Sequence, residues 1–218
     1  LFTSGCKQKQ LLPEKSFSQA ELKKIDDTYY HYRENFFKYY LDEGKNRFNG
    51  CVPEKIYIPP EKLNQESYLE GYQKIKFADA TIYASMALMF LSNDVCFQLE
   101  NKNHQEAIRS SKLLRQVMNG VISNDKLSLA GVDGFFLRDT VGDIEGLRVE
   151  SDFLNTKGGS NEMSGSQSSG LYYGFHFSLK SLNKIKDTEE LGLTKVISDI
   201  KEELNLLTQY LEKNKYKI

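Results

Sequence analysis

Five polar residues stand out in this chain by type and position: Asp79, Arg138, Asp139, Glu162 and Gln167. Asp79 and Glu162 each fall near the expected start of a helix, on different helical hairpins. Carboxylates are side chains that can move protons or act as nucleophiles near neutral pH, and Arg138 offers a planar fork suited to bidentate recognition. Each also has a structural role open to it. Asp79 can interact with a helix N-terminal dipole and its free N–H groups. Arg138 can pair with Asp139 or Asp143, and Ser164 can simply cap the helix that follows. The acidic run Asp139, Asp143, Glu145, Glu150 and Asp152 contains oxygen ligands of the kind calcium takes. Its spacing matches no calcium loop and no EF-hand pattern occurs, so it reads as a solvated acidic face. His31, His104 and His176 are scattered without ligand spacing, so no metal site is expected. There is neither a Gly-x-Ser-x-Gly elbow nor a P-loop, which leaves serine hydrolase and NTPase chemistry without support. No cofactor is expected.

Most of these residues lie in the stretch 133–180, a polar, glycine-rich loop feeding an apolar helix. Long irregular segments in compact domains are usually functional or disordered. Phe135, Phe136, Leu137, Leu147, Val149, Phe153 and Leu154 recur within the loop and argue for order, because disordered segments lack apolar side chains to bury. The reading is an ordered loop over about 124–163 at the mouth of a helical fold.

The elements around it are helices. Ser18-Gln19-Ala20-Glu21 is a capping box, with Phe17 and Leu22 placed as a hydrophobic staple. The helix it opens runs to Leu41 and stops at Gly44. Its stripe of Tyr29, Tyr32, Phe36, Tyr39 and Tyr40 could stack sugars but reads as core. Residues 45–70 form a loop interrupted by Pro53, Pro59 and Pro60, with Ile56-Tyr57-Ile58 as a short extended piece. A second helix, 75–99, is apolar nearly all round and so buried on several sides. Its small residues Ala80, Ala84, Ser85 and Ala87 would let neighbours approach closely. A third, 104–122, turns Ile108, Leu113, Leu114, Val117 and Met118 inward. The linker 100–103 is short, so these two helices form an antiparallel hairpin. Helices over 164–182 and 193–213, joined by 186–192, form a second. With no strand set large enough for a sheet, the fold class is all-α.

The length of 218 residues allows one domain with a full core or two small ones. A net charge of −1 gives no basic face for nucleic acid, and no run of 18 apolar residues offers a complete membrane span. Leu1-Phe2-Thr3-Ser4-Gly5-Cys6 resembles the end of a bacterial lipoprotein signal peptide, with Cys6 as the lipidated cysteine and Lys7-Gln8-Lys9-Gln10 as the start of a tether. The family usually has Leu where Thr3 stands. Residues 1–16 are thus read as signal remnant and tether, and 17–218 as the helical domain. Cys51 and Cys96 are either paired or two free thiols.

Asn161-Glu162-Met163-Ser164-Gly165-Ser166-Gln167, followed by Gly170 and Tyr173-Gly174-Phe175, resembles a motif of uncharacterised bacterial proteins in the six-hairpin glycosidase-like superfamily. Gly134-Phe135-Phe136-Leu137-Arg138 is similar to the loop segment preceding that motif, and Ala78-Asp79-Ala80-Thr81 to the start of an inner helix. Leu211-Glu212-Lys213-Asn214-Lys215-Tyr216-Lys217-Ile218 resembles the point where those proteins continue into further hairpins. The resemblance covers about 70–218 and implies part of an α/α toroid, whose helix N-termini and loops line a funnel. It places Asp79 and Glu162 there as the catalytic carboxylate pair that glycoside hydrolysis needs. Arg138, Asp139, Gln167 and Tyr173 would bind substrate. Ser166 stands where the family has Asp, which removes one carboxylate from the funnel.

Two functions follow. One is a lipid-anchored protein of the bacterial cell envelope that binds or processes a polysaccharide or oligosaccharide in a toroid-like domain. The other is a non-catalytic helical lipoprotein serving as an assembly subunit of an envelope complex. In both, a protein partner or further chain completes the toroid and Cys6 contacts the membrane.

Overall fold

A computed structural model describes residues 17–56, 74–77, 79–126, 133–139, 148–150 and 163–215. The chain divides into two compact units, the first ending at Asn35 and the second starting at Phe36. Cys6 and the tether, Glu162, Asp143, Glu145, Asp152, Tyr57 and Ile58 lie outside the described residues.

The first unit contains α1 (Gln19–Asn35). The capping box forms: Glu21 N donates to Ser18 Oγ at 3.3 Å, and Ser18 N donates to Glu21 Oε2 at 2.9 Å. That backbone bond holds the Glu21 carboxyl below its ordinary range. The two members of the aromatic stripe that lie on α1 are not buried. Tyr32 is 69% exposed, Tyr29 is half-buried, and the buried side chain of α1 is Arg33.

In the second unit the chain makes one π-helical turn, Phe36–Tyr40. Leu41 N reaches back five residues to Phe36 O. The wider turn buries Phe37, off the predicted stripe, while Phe36 meets Phe90 edge-on at 5.4 Å. The chain then forms β1 (Lys55–Ile56) and β2 (Lys74–Lys76) before α2 (Ala80–Glu100). Helix α2 therefore begins five residues later than the sequence suggests. β1 pairs antiparallel with β2, and β2 pairs parallel with β3 (Arg148–Glu150), making a small three-stranded sheet that the sequence did not announce. Strands of two or three residues are too short to show alternation. Ile75 and Phe77 are buried, and Phe77 packs edge-on against Phe48.

The unit is otherwise helical. α3 (His104–Lys126) returns along α2, and α4 (Gly165–Leu182) pairs with α5 (Leu193–Lys213) as the second hairpin. Leu88, Leu91 and Val95 of α2 join Leu114, Val117 and Val121 of α3, Leu171 and Phe175 of α4, and Val196, Ile200 and Leu207 of α5 in one core. By length and hydropathy α2 could cross a membrane, but more than half of its apolar window is buried inside the fold, as in a core helix. Cys51 and Cys96 are free thiols.

The two hairpins stack with like helices side by side. Gly170 faces Ile82, Gly174 faces Ser85, and Ser181 Oγ donates to Asn93 Oδ1 at 2.9 Å, so numbering rises together and α2 and α4 run parallel. Arg115 donates to Gly192 O, and Asp125 meets Glu203, which makes α3 and α5 parallel as well. Gly174 permits the contact. A Cβ there would stand 2.7 Å from Ser85 Cβ and 2.9 Å from Ser85 Cα. Elsewhere Gly50, at φ +79, abuts Gly120 of α3 backbone to backbone, and a Cβ on either would lie under 3 Å from main-chain atoms of the other.

The helix contact gives a direct expectation. Gly174→Ala should lose about 1–3 kcal/mol in urea unfolding, because a backbone neighbour cannot move aside. Gly165→Ala, with open space around its position, should be neutral within about 0.5 kcal/mol. Equal effects would show that the helices can separate freely.

Candidate functional site

The parallel arrangement puts the N-termini of α2 and α4 at the same end of the fold, and the loop segment 133–139 is fastened beside them. Gly134, at φ +86, donates its N–H to Asp125 Oδ1 at 2.6 Å. It sits so close to α5 that a Cβ would lie 2.3 Å from Leu206 O. Phe135 meets Tyr210 edge-on at 5.6 Å, and Phe136 lies against Phe175 at 6.3 Å. Leu137 N donates to Asn124 O at 2.9 Å. Thr81, in the first turn of α2, donates from its backbone N to Arg138 O at 3.1 Å. Its hydroxyl is 2.7 Å from Leu137 O and 2.8 Å from Arg138 O. The loop is thus ordered by satisfying backbone groups that burial would otherwise leave orphaned.

This scaffold positions several of the sequence-predicted residues. Arg138 Nη2 donates to Asp79 Oδ1 at 2.7 Å. The pair is partly open, with Asp79 37% and Arg138 21% exposed. Asp79 occupies the N-cap position of α2 yet makes no side-chain cap bond, so the guanidinium rather than the helix terminus holds its carboxylate. Asp139 is fully buried. Gln167 is fully buried too: its Oε1 accepts from Ser164 N at 3.1 Å while Ser164 Oγ accepts from Gln167 N at 3.4 Å. This capping box is the structural role that the sequence left open for Ser164. Ser166 is exposed and shares a 2.9 Å hydrogen bond with Ser164 Oγ.

Tyr173 is separate from this polar cluster. It is 58% exposed on α4 and stacks on Phe177 at 6.4 Å with 23° between the rings. Tyr172 meets Tyr173 edge-on at 6.5 Å. On α2, Met86 is 52% exposed. Tyr173 and Phe177 lie three residues beyond Gly170 and Gly174, the row that faces α2, and Met86 follows Ser85 on that helix. Both helices therefore present apolar groups along one side of their seam.

Chemically, the described residues assemble an ion pair, a capped helix and an aromatic strip. Asp79 is brought to Arg138, but Asp139 and Gln167 are enclosed where substrate cannot touch them. Among the described residues no group of three or more His, Cys, Asp or Glu side chains converges as a metal site. Two surface hollows, of 580 and 550 Å³, lie elsewhere, one beside Glu43 and Arg109 and the other beside Cys96 and His104. The first has its arginine engaged, since Arg109 clamps Glu43 through two bonds of 2.6 Å. Neither hollow is lined by Asp79 or Arg138.

One acidic pair escaped the sequence reading. Asp125, near the end of α3, and Glu203, within α5, are each 4% exposed and hydrogen-bonded to one another. Burial foremost raises both carboxyls, Asp125 to about 6 and Glu203 to about 8. The available signal was positional. Glu203 falls between Ile200 and Leu207 in the apolar row of α5, and Asp125 follows Val121 by one turn.

Thr81→Val keeps the side-chain shape and removes the hydroxyl. It should cost about 1–3 kcal/mol, through the buried Leu137 carbonyl left without the hydroxyl, while Arg138 O keeps the Thr81 N–H. Asp79→Asn, at a partly exposed pair, should cost only about 0.2–1 kcal/mol. Thermal unfolding of the two variants would reverse the assignment of what holds the loop if Asp79→Asn proved the costlier. No protein-family model, curated protein or solved structure matches this chain.

Proposed function

We propose that this chain is a glycan-binding module of a bacterial cell-envelope lipoprotein, built from two neighbouring hairpins of an α/α toroid and binding through its exposed aromatic strip. The observation that carries the reading is the Tyr173–Phe177 pair, two nearly parallel rings held in the open on a helix whose other face is core. Rigid exposed aromatic rings offer apolar faces to sugar C–H groups at small entropic cost, with a hydroxyl handle on Tyr173. The toroid reading draws support from the stacking of like helices, α2 on α4 and α3 on α5. The resemblance of the Asn161–Gln167 motif to six-hairpin glycosidase-like proteins points the same way. Binding is favoured over cleavage because Asp79 is committed to Arg138, Gln167 to a helix cap, and Ser166 stands in place of an acid. Cys6 supplies the lipid anchor.

A second reading has its own observation. Met86 and Phe97, both exposed on α2, extend apolar surface beyond the two rings. An assembly subunit would use this strip to receive another helical segment completing the toroid.

Titration calorimetry against a panel of envelope and extracellular oligosaccharides separates the two. Glycan binding should weaken by about two- to tenfold in Tyr173→Ala and again in Phe177→Ala, and remain in Asp79→Asn. If no glycan binds, or both aromatic variants bind like the wild type, the glycan reading fails and the assembly reading takes its place. Metabolic labelling with a fatty acid should mark the protein in its native host and disappear in Cys6→Ser. Equal labelling of both would remove Cys6 as the anchor.

A further inference from the structure

We propose that Asp125 and Glu203 form a proton-sharing latch that fastens the loop 133–139 to α3 and α5, and that its grip weakens as pH rises. The proposal stands apart from the glycan reading. Two carboxyl groups can hydrogen-bond to one another only when one of them carries a proton. Asp125 is the hub: its carboxylate takes the Gly134 N–H at 2.6 Å and is also bonded to the Glu203 carboxyl. Through Gly134, the same side chain therefore ties α3 to the loop and, through Glu203, to α5. The loop cannot settle differently at this point, because Gly134 lies against the Leu206 main chain with no room for a side chain.

The surroundings favour keeping the proton. Glu203 Oε2 is buried and has no hydrogen-bond partner, so an ionised Glu203 would place charge on an oxygen that nothing compensates. The neighbouring charges acting on the pair are Asp133 from the loop and Glu202 from α5, both acidic, against Lys126 of α3. Neighbouring like charges disfavour double ionisation. When the proton leaves to solvent, two adjacent carboxylates remain with one hydrogen bond fewer between the helices.

The sign follows from linkage. Both carboxyls are raised in the closed state, Asp125 to about 6 and Glu203 to about 8, from ordinary values of 3.8 and 4.5. An opened loop that hydrates them binds fewer protons, so opening becomes easier as pH climbs toward 8 and levels off above it. What opening would release is defined by the contacts already described: Phe135 and Phe136, and the Leu137 and Arg138 carbonyls that Thr81 holds.

Amide hydrogen exchange on the intact protein tests this, read at Gly134 and Leu137 and corrected for the intrinsic rate at each pH. In the wild type the corrected opening constant should rise by up to about tenfold per pH unit between 6 and 8, then flatten. Glu203→Gln keeps the volume and can still donate to Asp125, and its slope over that window should vanish. A flat wild-type profile, or an equal slope in the variant, would overturn the latch. Because Glu203→Gln could disturb folding, carbon-detected NMR titration of the wild-type carboxyls gives an independent reading. Titration of Glu203 near 4.5 would overturn the proposal without any variant, and titration near 8 would support it.

Discussion

The approach of α4 to α2 at Gly174 and Ser85 is the constraint on which the second unit depends. Without a Cβ at 174, the helix backbones come close enough for Leu171 and Phe175 to reach a core shared with Leu88 and Leu91. The same contact fixes direction. Because the chain must pass from the end of α3 to the start of α4 at the far end of the stack, the two hairpins lie side by side with like helices adjacent. It is this parallel pairing that brings two helix N-termini to one end, where Arg138 O takes the Thr81 N–H of α2 and Ser164 Oγ takes the Gln167 N–H of α4.

The loop 133–139 follows from that arrangement. It fills the space where α2 begins, α3 ends and α5 passes, and every step inward exposes peptide groups to an apolar environment. Thr81, Asn124 and Asp125 meet that cost with hydrogen bonds, while Phe135 and Phe136 add burial. The polar residues that looked like chemistry in the sequence are engaged nearby, Asp79 with Arg138 and Gln167 with Ser164. Gln167 is the clearest case: an amide one turn into a helix is read equally well as ligand or cap, and here it caps.

Helical content and hairpin pairing were legible because apolar residues recur with helical spacing over many turns, as Val117, Val121, Ile200 and Leu207 do. The capping box at Ser18 was legible because its logic spans only three residues, and Ser164 was legible as a candidate cap, though not Gln167 as its partner. The start of α2 was misplaced because Lys74-Ile75-Lys76 earns its strand from partners far away in the chain. No local pattern carries that information. The aromatic stripe held only in part: Phe36 packs against the core while Tyr32 is exposed, and the π-helical turn at Phe36–Tyr40 interrupts the spacing on which the stripe was read. Asp79 and Arg138 were singled out separately, and their pairing across 59 residues is a property of the fold. Asp125 and Glu203 were passed over because acids on amphipathic helices are ordinarily assigned to water.

The meeting of Gly50 with Gly120 carries a consequence for how this sequence can vary. Most tight contacts in a core involve two side chains, so enlarging one can be offset by trimming the other. Here each position is blocked by the partner's main chain, which no substitution can shorten. Changes at 50 and 120 therefore cannot rescue each other, and the two glycines are fixed independently rather than as a co-varying pair. A search for contacts through correlated substitutions would find nothing at one of the closest approaches in the molecule.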